Sequence, residues 1–184
     1  PQDKSLPEVP QPKSGALWGD ERIYLIPIKE NDKSPAVKWE VCLEEKYPRM
    51  MINLWYGNFA AVCGKESNNL VVVDIEDPEM YEYFFKDIPT CTVRTPSGGY
   101  HIHLFSQNVP GKEQKYLGYP INIYGEGSYA LIPPSSINGV KYELVKDAGI
   151  MEVEDVLQMV NERLPERRQR AGIIEKLKEA TDIP

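Results

Sequence analysis

The clearest pattern in the chain is an apolar run, LVVVDI at residues 70–75, which is followed at once by a second acidic residue. Its length and its consecutive valines predict a buried strand. Side chains two positions apart on a strand point the same way. The odd-numbered positions therefore share one face, whereas Asp74 and Glu76 share the other. The pattern places two carboxylates together at the end of a rigid apolar strand.

Shorter apolar runs, separated by Gly, Pro and Asn turns, predict the other elements. Strands are predicted at 23–28, 60–63, 92–95, 100–105, 121–124, 129–132 and 140–144. Helices are predicted at 36–46, at 48–56, from Asp77 onward and again from Val153. Asp77 and Pro78 suit the cap and the first position of their helix. The strands at 121–124 and 129–132 are expected to pair as a hairpin.

This order of elements mixes helices with hairpins, which favours an α+β (mixed α/β) domain over a doubly wound sheet. We expect a flexible arm at 1–21, one domain at 22–150, and a helical segment or linker at 151–184. The chain begins with Pro rather than Met, so it is expected to be part of a longer protein.

Composition narrows the classes of function. The net charge of −7 argues against broad, non-specific adhesion to nucleic acid. No apolar run has the length of a membrane span and no leader opens the chain, so a cytoplasmic protein with no membrane partner is expected. Three cysteines, Cys42, Cys63 and Cys91, lack metal-ligand spacing, so no structural zinc is expected. Neither a Walker A sequence nor G-x-G-x-x-G is present.

Asp74 and Glu76 are the first candidates for chemistry. Two carboxylates held together repel each other, and a divalent cation relieves that repulsion. Acidic residues at a strand end are also often simply solvated. The preceding valines favour function, because they place the pair at the end of a central strand, where ligands bind in open sheets.

His101 and His103 are the second candidates, since they lie two apart on a predicted strand and share a face. Half-buried structural histidines are the ordinary alternative. Ser97, Gly98 and Gly99 precede them, and two glycines allow a backbone to approach an anion closely, although a hairpin turn is the commoner use.

Asn122 is the third candidate, because it alternates with isoleucines on its predicted strand. Its amide oxygen could ligate a cation more weakly than a carboxylate does. Glu126, in the following turn, could supply charge.

In this order and spacing, the segments resemble the catalytic domain of archaeo-eukaryotic-type primases. The resemblance is closest to the primase-polymerase domains of plasmid and phage replication proteins, especially those of archaeal plasmids, and it covers roughly residues 22–145. The segments that carry it are IPI at 26–28, KSPAVKW at 33–39, AVCG at 61–64, VVVDIE at 71–76, RTPSGGYH at 94–101 and YALIPPSS at 129–136.

The resemblance implies an RRM-like sheet flanked by helices, and DNA primase and polymerase activity with two Mg or Mn ions. Asp74 and Glu76 match the family's metal-binding carboxylates, and His101 matches the histidine that contacts the phosphates of the incoming nucleotide. The small-residue turn would approach the triphosphate; its residues are Ser97, Gly98 and Gly99. Arg94 and Lys65 are weaker candidates for phosphate contacts.

The resemblance also implies partners. These are nucleoside triphosphates, a single-stranded DNA template with its primer, and a helicase or helical accessory domain in the full-length protein.

Asn122 departs from the family pattern, which has a third carboxylate at this position to help bridge the metals. The loss of that charge should weaken metal binding and slow nucleotidyl transfer. The sequence leaves two explanations open: a change introduced to inactivate the enzyme, or a natural protein that polymerises poorly.

Two other classes of function compete with this interpretation. His101 and His103 form the His-hydrophobe-His pattern of rolling-circle endonucleases, with Tyr83 and Lys86 as a tyrosine–lysine pair, but this tyrosine precedes the histidines rather than following them. Asn122 motivates the other class, a module that binds nucleotide or primer–template without catalysis.

Overall fold

Two β-sheets face each other across a shared apolar layer, and helices cover the outer face of the larger sheet. The structure, a computed structural model, describes residues 13–38 and 48–165. Within these ranges, the arrangement confirms the predicted α+β class. It adds a separate small sheet to the single sheet that we expected.

The bounds of the elements are as follows. The helices are α1 (Ala16–Gly19), α2 (Arg49–Asn53), α3 (Pro78–Phe84) and α4 (Val156–Arg163). The strands are β1 (Leu25–Ile28), β2 (Asn58–Val62), β3 (Leu70–Ile75), β4 (Thr92–Arg94), β5 (Tyr100–Asn108), β6 (Ile121–Tyr124), β7 (Tyr129–Ile132), β8 (Ser136–Ile137), β9 (Val140–Lys141), β10 (Glu143–Lys146) and β11 (Met151–Asp155).

The large sheet has the strand order β10-β4-β5-β3-β6, with antiparallel neighbours throughout. Strand β11 pairs in parallel with the second half of β5. The small sheet is antiparallel with the order β1-β2-β7, and β8 and β9 form a separate two-stranded ribbon. Strand β3 is therefore flanked on both edges, as the apolar run predicted.

The two faces of β3 serve two apolar cores. Val71, Val73 and Ile75 pack with α3 and α4 on the outer face. Val72 points the other way, into the layer shared with the small sheet. Asp74 lies on the same face as Val72, so the polar end of the strand opens at the margin of the layer between the two sheets.

The start of α3 follows the predicted capping pattern. The Asp77 side chain accepts a hydrogen bond from the backbone N–H of Glu79, and Pro78 occupies the first turn. Tyr81 and Phe85 are buried against the large sheet. The predicted cap of this helix is confirmed.

The predicted hairpin of 121–124 with 129–132 is wrong. Strand β6 pairs with β3 in the large sheet, whereas β7 pairs with β2 in the small one. Both strands are mostly buried, and each adds to the open edge of a different sheet. The intervening turn therefore carries the chain from one sheet to the other.

The helix predicted from Val153 begins later, at Val156. Residues 151–155 form β11 instead, because Met151 and Val153 alternate with exposed acidic residues and lie against β5. The Asp155 side chain caps α4 by accepting from two backbone N–H groups. The division of the chain at 21 and 150 stays a prediction, although Leu17 and α4 both pack into the cores.

Three further expectations need correction. The strand predicted at 140–144 is divided between β9 and β10 at Tyr142, whose buried ring turns inward and whose N–H donates to Ser135. Residues 36–38 are not helical, and the remainder of the helix predicted at 36–46 lies outside the described residues. The helix predicted at 48–56 is the shorter α2.

Candidate active site

Three polar side chains form a row across the middle of the large sheet. On β3, Asp74 is the cross-strand partner of His101 on β5 and of Asn122 on β6. Cross-strand partners have Cβ atoms about 5 Å apart and point to the same face. The register of three strands therefore brings together the residues that the sequence marked separately.

The amide of Asn122 connects the two carboxylates. Its Nδ2 donates to Asp74 Oδ2 at 3.1 Å and to Glu76 Oε1 at 2.8 Å. Its Oδ1 accepts from the backbone N–H of Lys115 at 3.1 Å, which fixes the orientation of the amide. Tyr124 adds a hydroxyl donor to Asp74 Oδ2 at 3.0 Å. Amide hydrogens thus occupy the space between the two acidic groups and offset their repulsion.

His101 lies on the other side of Asp74, with Nε2 3.5 Å from Oδ1. Burial by itself raises the pKa of Asp74. The hydrogen bond and charge of His101, with the hydrogen bonds from Asn122 and Tyr124, outweigh that effect and hold the pKa below its ordinary value. Asp74 is therefore a carboxylate at neutral pH even though it is largely enclosed.

His103 shares the face of His101, as predicted, but it is fully buried. Its Nδ1 lies 3.3 Å from the carbonyl oxygen of Cys91, and its Nε2 has no hydrogen-bond partner. Burial, with the nearby His101, lowers the pKa of His103 to about 3. Of the two candidate histidines, His103 therefore has a neutral ring and does not line the cavity.

A cavity of about 850 Å³ opens beside this row of residues. Asp74, Glu76 and His101 line one side, together with Ser97. Residues of β7 and of the loops around β8 and β9 line the opposite side. The paired carboxylates and the histidine therefore face one shared hollow between the two sheets.

The Ser-Gly-Gly turn lies at the end of β3. A Cβ atom on Gly99 would lie 2.5 Å from the carbonyl oxygen of Ile75 and 3.1 Å from Cα of Glu76. Only glycine lets the turn pack so closely against the carboxylate strand. Ser97 reaches the cavity, whereas Gly98 has a positive φ of 93° and completes the turn.

Arg94 and Lys65 are not among the residues that line the cavity. Arg94 is exposed at the end of β4. The backbone N–H of Lys65 donates to Glu126 at 2.9 Å, so Glu126 is engaged with the turn after β2. The structure does not bring either cation to the carboxylates.

The cavity lining also includes residues that the sequence did not mark as candidates, among them Lys33, Lys112, Tyr124 and Tyr142. Tyr124 follows Asn122 by two positions, so strand alternation could have placed it on the same face. Lys33 and Lys112 belong to loops, where no periodic pattern indicates direction. Tyr142 packs near the ring of His101, with 6.0 Å between ring centroids.

A mixed sheet that presents paired carboxylates and a histidine to one cavity is typical of enzymes that act on phosphates with divalent metal. Residues 17–161 match the family model of the N-terminal domain of bifunctional DNA primases/polymerases. The chain belongs to this family, which confirms the predicted family; an archaeal origin stays a prediction. No curated protein matches the chain.

Membership of the family implies a nucleotidyltransferase-type enzyme that binds nucleotides and DNA, and divalent metals are general in the family. In residues 13–38 and 48–165, no helix is long and apolar enough to span a membrane. Across the same part of the chain, no three His, Cys, Asp or Glu side chains are grouped as a metal site.

The donor set fits a divalent cation only in part. Asp74 and Glu76 offer oxygen ligands of the kind that Mg²⁺ and Mn²⁺ prefer. Asn122 offers a neutral amide whose hydrogens face those oxygens. A cation between the carboxylates requires the amide to turn its oxygen inward, which gives up its bond with Lys115.

Proposed function

We propose that this domain performs template-dependent nucleotidyl transfer, as a DNA primase and DNA polymerase in the replication of a plasmid or phage. The observation that carries the proposal is the cavity lined together by Asp74, Glu76 and His101. It supplies carboxylates for a cation and an imidazole for a phosphate in one place. Membership of the primase/polymerase family supports the same reaction class.

In this proposal, Asp74 and Glu76 hold divalent ions, either Mg or Mn, with the amide oxygen of Asn122 as the third ligand. When bound, such ions activate the attacking hydroxyl and neutralise charge on the departing pyrophosphate. Tyr124 holds the carboxylate of Asp74 in place through its hydroxyl. The low pKa of Asp74 keeps that carboxylate charged and ready to bind a cation.

His101 and the turn at 97–99 would receive the triphosphate. A ring N–H of His101 donates to a phosphate oxygen at the edge of the cavity. Ser97 adds a hydroxyl, and the glycines let the backbone approach closely. Arg94 and Lys65 remain candidates for phosphate contacts only if the bound substrate reaches beyond the cavity.

Asn122 favours a second candidate, a module that binds nucleotide or primer–template without transfer. The amide satisfies both carboxylates without any cation. A neutral third ligand also stabilises two adjacent divalent ions less than a carboxylate does.

The rolling-circle endonuclease is disfavoured by geometry. His103 is buried beside Cys91, so the two histidines do not present a joint metal site to the cavity. Tyr83 lies on α3, and this helix packs on the opposite face of the large sheet from Asp74.

The deciding experiment measures incorporation of labelled nucleotides on primed and unprimed single-stranded DNA, with Mg or Mn. The native chain, Asn122→Asp and Asp74→Ala are compared. Metal-dependent synthesis by Asn122→Asp that is absent from Asp74→Ala supports the transfer reaction. Nucleotide binding by Asn122→Asp without any synthesis favours the binding module instead.

A further inference from the structure

A second cavity, of about 600 Å³, lies next to the candidate active site behind a shared wall. Two loops form this wall. In the loop at 29–34, Glu30 lines the second cavity and Lys33 lines the first. The second loop, at 133–138, includes the short strand β8; here Ser136 lines the second cavity and Asn138 the first.

Hydrogen bonds tie the two loops of the wall together. The Asn58 side chain donates to the carbonyl oxygens of Asp32 and Ser136 at 3.1 and 2.9 Å. The backbone N–H of Asn138 donates to the side chain of Asn31. The cavities are therefore close neighbours, and an extended chain that leaves the first one over this wall reaches the second.

Four aromatic side chains are among the residues that line the second cavity. Trp55 and Tyr56 lie with their ring centroids 4.4 Å apart, and Trp18 meets Phe59 edge-on. The Tyr56 side chain is left in solvent, with 76% of the residue exposed. An exposed ring beside a second ring offers a stacking surface for another flat group.

Hydrogen bonds hold the two tryptophan rings in place. The Trp55 indole N–H donates to the carbonyl oxygen of Ile28 at 2.8 Å. A Cβ on the following Gly57 would lie 2.6 Å from that oxygen and 2.7 Å from the indole nitrogen, so the turn needs glycine. Trp18 is held in the same way, because its indole N–H donates to the carbonyl oxygen of Pro133 at 2.7 Å. Fixed rings lose little conformational entropy when a ligand stacks on them.

Charge in this cavity is balanced. Lys13 is held over the rings, with its Nζ 4.6 Å from the Phe59 centroid. Glu30 contributes one negative charge to the lining. A polyanion gains little from such a surface, so recognition has to come from the rings. Unstacked nucleobases match that chemistry, whereas duplex DNA presents mainly phosphates.

We propose that this aromatic cavity binds the single-stranded template, with a base stacked on the Trp55–Tyr56 pair as the strand leaves the active site. The inference rests on the proposed function, because a template is needed only for templated synthesis. It assigns a binding surface on the small-sheet side of the molecule, separate from the carboxylate site.

The test measures the affinity of the whole chain for a fluorescently labelled single-stranded oligonucleotide. Tyr56→Ala removes the ring and is expected to bind about tenfold more weakly. Tyr56→Phe keeps the ring and should bind about as well as the native chain. Neither substitution changes the core. Tyr83→Ala is the matched control, because Tyr83 is 78% exposed on α3. Binding should depend only weakly on salt, since stacking rather than phosphate contact carries it.

Equal affinities of Tyr56→Ala and Tyr83→Ala would overturn the inference. The inference would also be overturned if Tyr56→Ala abolished a self-association of the protein but left its oligonucleotide affinity unchanged. The aromatic cavity would then bind a second copy of the chain. Binding of nucleoside triphosphate with Mn, measured in parallel, separates this result from the proposed function. Tyr56→Ala should leave the binding of nucleoside triphosphate unchanged. If the native chain does not bind nucleoside triphosphate, the proposed active site is refuted, but the proposed template-binding cavity is not.

Discussion

The side-chain amide of Asn122 donates to the carboxylate of Asp74 across adjacent strands, over 3.1 Å. The pair joins the acidic end of β3 to β6 without a cation. Replacing the amide with a carboxylate converts an attraction into a repulsion at the same distance. The side-chain nitrogen of Asn122 therefore contributes to the stability of the metal-free protein.

Asn122→Asp should destabilise the metal-free protein by about 2 kcal/mol, since two hydrogen bonds to charged groups are exchanged for like-charge contacts. Mg or Mn should restore the loss, because a cation then bridges the carboxylates. Thermal unfolding with chelator and with added metal measures both effects. A variant that is as stable as the native chain in chelator would contradict this account of the amide.

Asp74→Ala should abolish metal-dependent nucleotide binding and leave the fold intact, since the change also removes a carboxylate that repels Glu76. Titration with nucleoside triphosphate in the presence of Mn measures the first effect, and circular dichroism measures the second. A variant that fails to fold would show that the hydrogen bonds to Asp74 are structural. Asp77→Asn serves as the control, because it lies near the same strand end and keeps a capping side chain.

His103 should make the protein sensitive to mild acid. Its pKa is about 3 in the folded protein and near 6.5 when unfolded, so the unfolded chain binds the extra proton between those values. Stability should then fall by up to about 1.4 kcal/mol for each pH unit below roughly 6. Denaturant unfolding at stepped pH measures the slope, and His103→Asn should reduce it.

The Asp74 carboxylate affects stability at a lower pH than His103 does. Its depressed pKa stabilises the fold above the ordinary value of an aspartate, about 3.9, and that stability is lost as the pH falls towards the folded value. Measurements between pH 4.5 and 6.5 therefore avoid the titration of Asp74, and the His103→Asn variant identifies the contribution of His103 within that range. An unchanged slope in His103→Asn over this range would refute the assignment.

Gly99→Ala should destabilise the protein by about 1–3 kcal/mol, because the added methyl group meets the carbonyl oxygen of Ile75. It should also weaken nucleotide binding, since the turn must move away from Glu76. Gly111→Ala is the matched control, because a Cβ there meets no atom within 4 Å. Thermal unfolding of the two variants decides whether the turn needs this close approach.

Local patterns were sufficient for much of the fold. Alternation placed Asp74 opposite the valine face of β3, and the same argument put His101 and His103 on one face of β5. The cap at Asp77 followed from side-chain chemistry that involves only its neighbours in sequence. Each of these features depends on a few adjacent residues.

Pairing between distant segments was not predictable in this way. The segments at 121–124 and 129–132 have the pattern of a hairpin, yet each joins a different sheet, because the open edges that receive them belong to remote strands. The burial of His103 depends on how the sheets face each other, which no local pattern records. For the same reason, the sequence did not predict that Lys33 and Lys112 line the first cavity, because both belong to loops.

The connection between β6 and β7 limits how far the two sheets can move apart. Tyr124 ends one strand in the large sheet and Tyr129 begins the next in the small sheet, so their Cα atoms stay within about 18 Å at full extension. Both tyrosines border the first cavity. This short connection limits how far the two sheets can separate at this corner, so a widening that admits a bulky substrate is expected mainly on the side away from it.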